Sequence, residues 1–467
     1  MKINYAVLFT VFVIFLFFTG CPDITEDSEF YSNFKQHDKV NWVWMVYMGA
    51  DNNLDSYSLL DINEMESGLY NLQKNNPSAF RSIKIITFTD RSTNTDLNSG
   101  WSNTRVYEIV PDNNSGSVKS SIIANYRDQD SADPDNLKKF LNNVYKYYPA
   151  NNYMLTIWSH GDGVRNIINT DYLASAVIDD TSGNQIYLDM FQQAIKSSSF
   201  NNTGKLKIIG FDTCYMGMVE IAYEFRDVAD YFIGSMDTEP GGGWNYSLIL
   251  NDLSADTIDG GDFAVKVVDE YYKYYQTSSS TVTLTAVDLS RIEDIKDALF
   301  SLADQLSRDV TDCSYFEKQV RDNSRYFFSS STHSKSNPAY EIYSFCMNIS
   351  SRYSSISTLV DKADAVRVQL GSAIIAACSN KESVYNLKGA DADRGLSIFI
   401  SRGELGHYSE QVWYSSRYTS LYGYKYGGID FAVADSSDDA DGKVTTWKEL
   451  FEYWYDTDNT LTTMDHY

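Results

Sequence analysis

Residues 206–225 read LKIIGFDTCYMGMVEIAYEF. Apart from Lys207, the first six form a short apolar run, which predicts a buried strand over 206–211. Residues 216–225 repeat apolar side chains at helical spacing, which predicts a helix. Cys214 stands between the two. A strand that feeds a helix through a short turn is the unit from which parallel sheets are wound.

The same alternation extends in both directions. Upstream, strands are expected over 41–48, 83–88, 105–110 and 153–158. Helices are expected over 55–72, 134–148 and 188–197, the second opened by Asp133 as N-cap and Pro134. Downstream, strands are expected over 231–235, 281–287 and 396–401, with helices over 262–275 and 359–378. The class is therefore α/β, a mostly parallel sheet with helices on both faces and helical additions towards the C-terminus.

Ligand and active sites of open α/β sheets form at the carboxyl ends of strands. Two such ends carry chemistry. Residues 157–163, IWSHGDG, deliver His160 from a strand into a glycine-flanked loop. Residues 209–217 deliver Cys214 to the start of the expected helix, where a helix terminus and a nearby imidazolium lower a thiol pKa. The chain has five His, and His160 is the one that follows a strongly apolar strand. The backbone N–H groups of Gly161 and Cys214 are placed to face an oxyanion. Asp212, two residues before Cys214 on an extended strand, shares its face and offers a carboxylate to a basic side chain.

The strings SHGDG at 159–163 and FDTCYMGMVEIAYEF at 211–225 resemble the clostripain-like cysteine peptidases. So do VWMVYMGADNNLD at 43–55 and TEPGGGWNY at 238–246, with GLSIFIS at 395–401 a looser match. The resemblance implies a caspase-like fold and a Cys–His dyad that hydrolyses peptide bonds. It carries the nucleophile to Cys214, the general acid/base to His160 and an acidic pocket residue to Asp212. Protein or peptide substrates cut after Arg or Lys are thus expected, with Asp212, Glu239 and Trp244 as substrate-binding candidates. Gly242 stands where the family often has a second acid. Glu239 is either its substitute or a solvated loop residue. Family members often cut themselves after a basic residue between His and Cys. Here 166–180 holds no Lys or Arg, so maturation uses Arg165 or the chain works uncut.

Composition narrows the partners. The chain has 467 residues, 43% hydrophobic and 22% charged, enough for a globular core. A net charge of −25 argues against nucleic acid, because phosphate binding needs clustered Lys and Arg. Residues 1–20 read as a signal peptide: Lys2, then an apolar run over 5–18 that is short for a membrane span. Thr19 and Gly20 precede Cys21 as in a bacterial lipoprotein site, which predicts a lipid on Cys21 and a tether over 21–40. The chain would then sit outside the cytoplasm, anchored to a membrane of the bacterial cell envelope. The alternative is an ordinary cleaved signal and secretion. The peptidase domain is expected over 41–402 and a C-terminal extension over 403–467.

Cys313, Cys346 and Cys378 make neither a disulfide framework nor a metal-ligand spacing, and the last two read as buried small hydrophobes. The dyad chemistry requires no cofactor. Calcium is the one ion suggested: Asp439, Asp441 and Gly442 match three positions of an EF-hand-like loop, while Ser437 and Lys448 do not match its first and twelfth. The other reading of that stretch is a solvated acidic turn. The rival to a peptidase is a surface binding or adhesion protein on the same scaffold. A metal-dependent hydrolase lacks a His-rich ligand set.

Overall fold

The computed structural model describes residues 29–94, 100–164, 175–202, 204–327, 339–380, 395–400, 431, 444 and 446–455. Its strands are, in chain order, β1 (Glu29–Ser32), β2 (Val40–Ala50), β3 (Ile83–Arg91), β4 (Thr104–Glu108), β5 (Ser121–Tyr126), β6 (Ala150–Trp158), β7 (Ser175–Asp179) and β8 (Asn184–Tyr187). There follow β9 (Leu206–Asp212), β10 (Ala229–Gly234), β11 (Thr283–Asp288), β12 (Tyr326–Phe327), β13 (Ala339–Glu341), β14 (Ile374–Ser379) and β15 (Ser397–Phe399).

Ten of these form one sheet in the order β1-β5-β4-β3-β2-β6-β9-β10-β11-β14. Its centre, from β3 to β10, is parallel. Antiparallel strands extend both edges. The expected parallel sheet is thus its centre, and the edges are filled by strands that pair antiparallel. One expected helix ends in a strand. The helix expected over 359–378 ends at Ala373, and Ile374–Ser379 pairs with β11 as an edge strand. Apolar spacing alone does not separate a buried helix end from a buried strand, whereas two adjacent β-branched Ile favour the strand.

Strand β2, VNWVWMVYMGA, shows why the sheet is covered on both faces. Alternate side chains of a strand point to opposite sides. Trp42, Trp44, Val46 and Met48 enter one apolar cluster with the helices Asp55–Asn75 and Gly260–Tyr275. Val43, Met45 and Tyr47 enter the other, with Pro134–Tyr147, Leu188–Lys196 and Ile292–Asp309. Both rows are fully buried, so β2 reads as apolar throughout instead of alternating.

The short helix Val219–Glu224 fastens the C-terminal chain to this core. Glu220 accepts the Phe399 N–H at 2.7 Å and Glu224 accepts that of Phe431. Trp447 donates its indole N–H to the Phe399 carbonyl, and Trp447, Leu450 and Trp454 join the second cluster. The helix Trp447–Tyr455 therefore shares the main core and is not packed as a separate body. Among the described residues, no helix is long and apolar enough to cross a membrane.

Candidate active site

Strands β2, β6, β9 and β10 lie side by side and parallel, so the loops that leave them meet at one edge of the sheet. Trp158 of β6 is in register with Asp212 of β9. His160 and Cys214 each follow two residues later, and so leave neighbouring strands at the same level.

Glycine lets the two loops touch. A Cβ on Gly161 would lie 2.5 Å from the Cys214 carbonyl oxygen and 2.8 Å from Thr213 Oγ1. Gly163, at φ +63°, passes close to the Tyr215 carbonyl. Tyr215 itself has φ 61°, a left-handed conformation that a non-glycine residue adopts at a cost. That turn carries Cys214 away from the line of β9. The expected helix at Met216 begins only at Val219 and runs for six residues. Cys214 therefore sits on a turn and not at a helix N-terminus, which removes the helix dipole from the account of its reactivity. The loop after β10 holds the sulfur instead: the Glu239 N–H donates to Cys214 Sγ at 3.3 Å.

His160 Nε2 lies 2.6 Å from Oδ1 of Asn53. Burial lowers the imidazole pKa below its ordinary 6.5, against Asp162 and Asp180, which raise it. The ring is thus mostly neutral at pH 7. Asn53 is not among the site candidates that the sequence offers, and its signal there is its place in the motif at 43–55, in the turn at the carboxyl end of β2. The neighbouring Asn52 is buried and anchors that turn. Its amide donates to Gly49 and Ile178 carbonyls and to Ser159 Oγ, and its oxygen accepts the Leu54 N–H.

Asp212 is nearly closed off. It accepts the Trp244 N–H and, at 2.8 Å, the Tyr246 hydroxyl. Burial pushes its pKa up to about 6, against those hydrogen bonds, which lower it. Other carboxyls gather here. Burial, then Asp212 and Cys214, holds Glu239 well above the carboxylate range. Burial, then Asp212 and Glu64, does the same to Asp61, and Glu64 is pushed up to about 7. Among the described residues, no Lys or Arg forms an ion pair with any of the four.

Two expectations change. Glu239 is not a solvated loop residue, because both its carboxyl oxygens are buried. Trp244 does not present its ring to a substrate. It is 0% exposed, and its indole fills the space that a Cβ on Gly210 would need. What it contributes near the site is its backbone N–H. Cys313, Cys346 and Cys378 are free and buried. Burial pushes the Cys313 thiol up to about 12 and raises the other two as well, so all three are inert beside Cys214. Cys21, Arg165, Asp439 and Asp441 lie outside the described residues.

A family model described as the clostripain family matches residues 46–454. Clostripain of Hathewaya histolytica is 26% identical, over 93% of this chain and 91% of its own. Two solved structures share the fold. One is a secreted C11 cysteine protease from Bacteroides thetaiotaomicron in complex with an irreversible peptide inhibitor. It has a TM-score of 0.57 and 22% identity, covering 80% of this chain and 97% of that one. The other is an inactive zymogen C11 protease from Parabacteroides distasonis, with a TM-score of 0.58 and 19% identity, covering 81% and 98%.

Proposed function

Because this chain belongs to the clostripain family of cysteine peptidases, we propose that it is an endopeptidase in which Cys214 attacks the scissile carbonyl and His160 moves the protons. The observation that carries this reading is the junction of the two loops, with Gly161 packed on the Cys214 carbonyl. A neutral imidazole suits the first step. His160 accepts the thiol proton as sulfur bonds to the carbonyl carbon, then gives that proton to the leaving amine. The acyl-enzyme so formed is hydrolysed by a water whose proton passes back through His160. The N–H groups of Gly161 and Cys214 stabilise the oxyanion between these steps.

The preference assigned is for Arg or Lys before the cut. Its support is the set of carboxyls around Asp212 that form no ion pair among the described residues, with Glu239 taking the part of the acid missing at Gly242. A cationic side chain would find Asp212 ionised at pH 7 and would favour loss of the Glu239 proton. A charge-assisted hydrogen bond contributes about 1.5–3 kcal/mol. Asp212→Asn is therefore expected to lower the ratio of kcat/KM for Arg over Leu peptides by roughly ten- to a hundredfold, with Leu cleavage kept. Gly242→Asp should raise that ratio. A Cβ there meets only the Tyr275 hydroxyl, at 3.5 Å, so the turn accepts a side chain. An unchanged ratio in Asp212→Asn would leave Asp212 as a brace for Trp244 and Tyr246 alone. A cleavage profile on a mixed peptide library tests activity and preference together, and a binding protein on this scaffold would cut nothing.

The enzyme is assigned to the outer side of a membrane of the cell envelope, held by a lipid on Cys21, with proteins or peptides there as substrates. Support comes from the leader and the small residues before Cys21. Labelling with a fatty-acid probe in a bacterial host should follow Cys21 and vanish in Cys21→Ser. Equal labelling of both proteins would instead favour plain secretion.

A further inference from the structure

The motif at 43–55 supplies strand β2, yet its last residues, GADNNLD, have no part in the chemistry above. They form the turn between β2 and the helix Asp55–Asn75. Most of this turn is buried and tied down. Asn52 is 1% exposed and spends its amide on Gly49, Ile178 and Ser159, the residue next to His160. Ser159 returns a hydrogen bond from its hydroxyl to the Gly49 carbonyl at 2.7 Å. At the far end Asp55 forms a fully buried ion pair with Arg91 and also accepts the Ser92 N–H. Between these fixed points the one exposed side chain that points at the site is Asn53, with Oδ1 on His160 Nε2.

We propose that Asn53 is the positioning residue of the dyad: its amide oxygen accepts the Nε2 proton of His160 and so fixes the ring's tautomer and orientation. An amide oxygen accepts and does not donate, so the nitrogen that faces it must carry a proton. That leaves Nδ1 as the nitrogen that takes and returns protons during catalysis. An amide accepts this bond from the neutral ring and, more strongly, from imidazolium, but adds no net charge of its own. A carboxylate there would do otherwise, since an anion at this distance favours imidazolium. Asn53 is exposed, and its bond competes with water. Its effect rests on the rigidity of the turn behind it, which holds the oxygen where the ring must be.

This inference rests on the dyad reading, and the experiment separates the two. The full chain is assayed as wild type, Asn53→Ala, Asn53→Asp, His160→Ala and the double variant Asn53→Ala/His160→Ala. Asn53→Ala is expected to lower kcat by about ten- to a hundredfold with KM nearly unchanged, the scale of a misplaced catalytic group. Asn53→Asp keeps the acceptor. It should recover most of kcat, with the acid limb of the pH–rate profile moved to higher pH. That profile is read with Asp162 and Asp180, the other charges acting on the ring, left in place. The double variant should be no slower than His160→Ala. Alkylation of Cys214 by iodoacetamide, and thermal melting, report whether the site and fold survive. Nitrogen NMR of His160 in a Cys214→Ala background should show the Nε2–H tautomer, and a mixture once Asn53 is Ala. The proposal is overturned if Asn53→Ala keeps its kcat and tautomer while His160→Ala is inactive. It is also overturned if Asn53→Asp is as slow as Asn53→Ala, since the accepted proton would then not matter. An active His160→Ala would sink the dyad reading instead.

Discussion

Cys214→Ala is expected to abolish peptide hydrolysis and leave the melting temperature nearly unchanged. The side chain lies on a turn beyond the carboxyl end of the central strand β9, and its loss removes one small sulfur atom from a half-buried position. Among the described residues no other cysteine can replace it, because Cys313, Cys346 and Cys378 are buried with their thiols held neutral. The loss should reach the background of the assay, on the order of 10⁴-fold or more, because the covalent route disappears with the nucleophile. His160→Ala should cost about 10²–10⁴-fold, the usual range for a positioned acid/base. Full activity on a peptide in either variant would show that another group carries the reaction.

Gly161→Ala should cost about 10²-fold, although the new methyl touches neither reacting atom. Its Cβ would stand 2.5 Å from the Cys214 carbonyl oxygen and 2.9 Å from Thr213 Cβ. Neither obstacle is the far end of a flexible side chain, so one loop must move. Such a movement separates His160 from Cys214. A displacement of about 1 Å in a catalytic group can lower the rate by about 10²-fold. The effect should fall on kcat/KM, with the fold retained. Rates within twofold of wild type would mean that the contact of the loops is not needed for catalysis.

The centre of the molecule was legible because buried parallel strands are written as nearly continuous apolar runs, as in residues 42–48 and 208–211. The edges were less so. Residues 374–379 follow a helix directly, and the one glycine near the change, Gly371, still lies inside that helix; their edge-strand role depends on β11, nearly ninety residues earlier. Glycines showed where His160 and Cys214 stand, but their reason is tertiary. Gly161 is small because of Cys214, and Gly210 because of Trp244. Trp244 was misread for the same cause. Nothing in the sequence beside this glycine-rich turn shows that the indole is buried against Gly210 of β9. Glu239 and Asn53 reach the site from loops that are distant in sequence from their partners, Cys214 and His160. Spacing along one strand reveals Asp212. It does not reveal contacts made between the ends of four different strands, β2 with β6 and β9 with β10.

The central claim is that Cys214 is the nucleophile of an endopeptidase that accepts a basic side chain. The most direct test is mass spectrometry of the protein after treatment with a peptide chloromethyl ketone ending in Arg. The account predicts one adduct per chain on the fragment containing Cys214, formed faster than with a Leu analogue and absent in Cys214→Ala. An adduct on another residue, or an active enzyme that forms none, would contradict it.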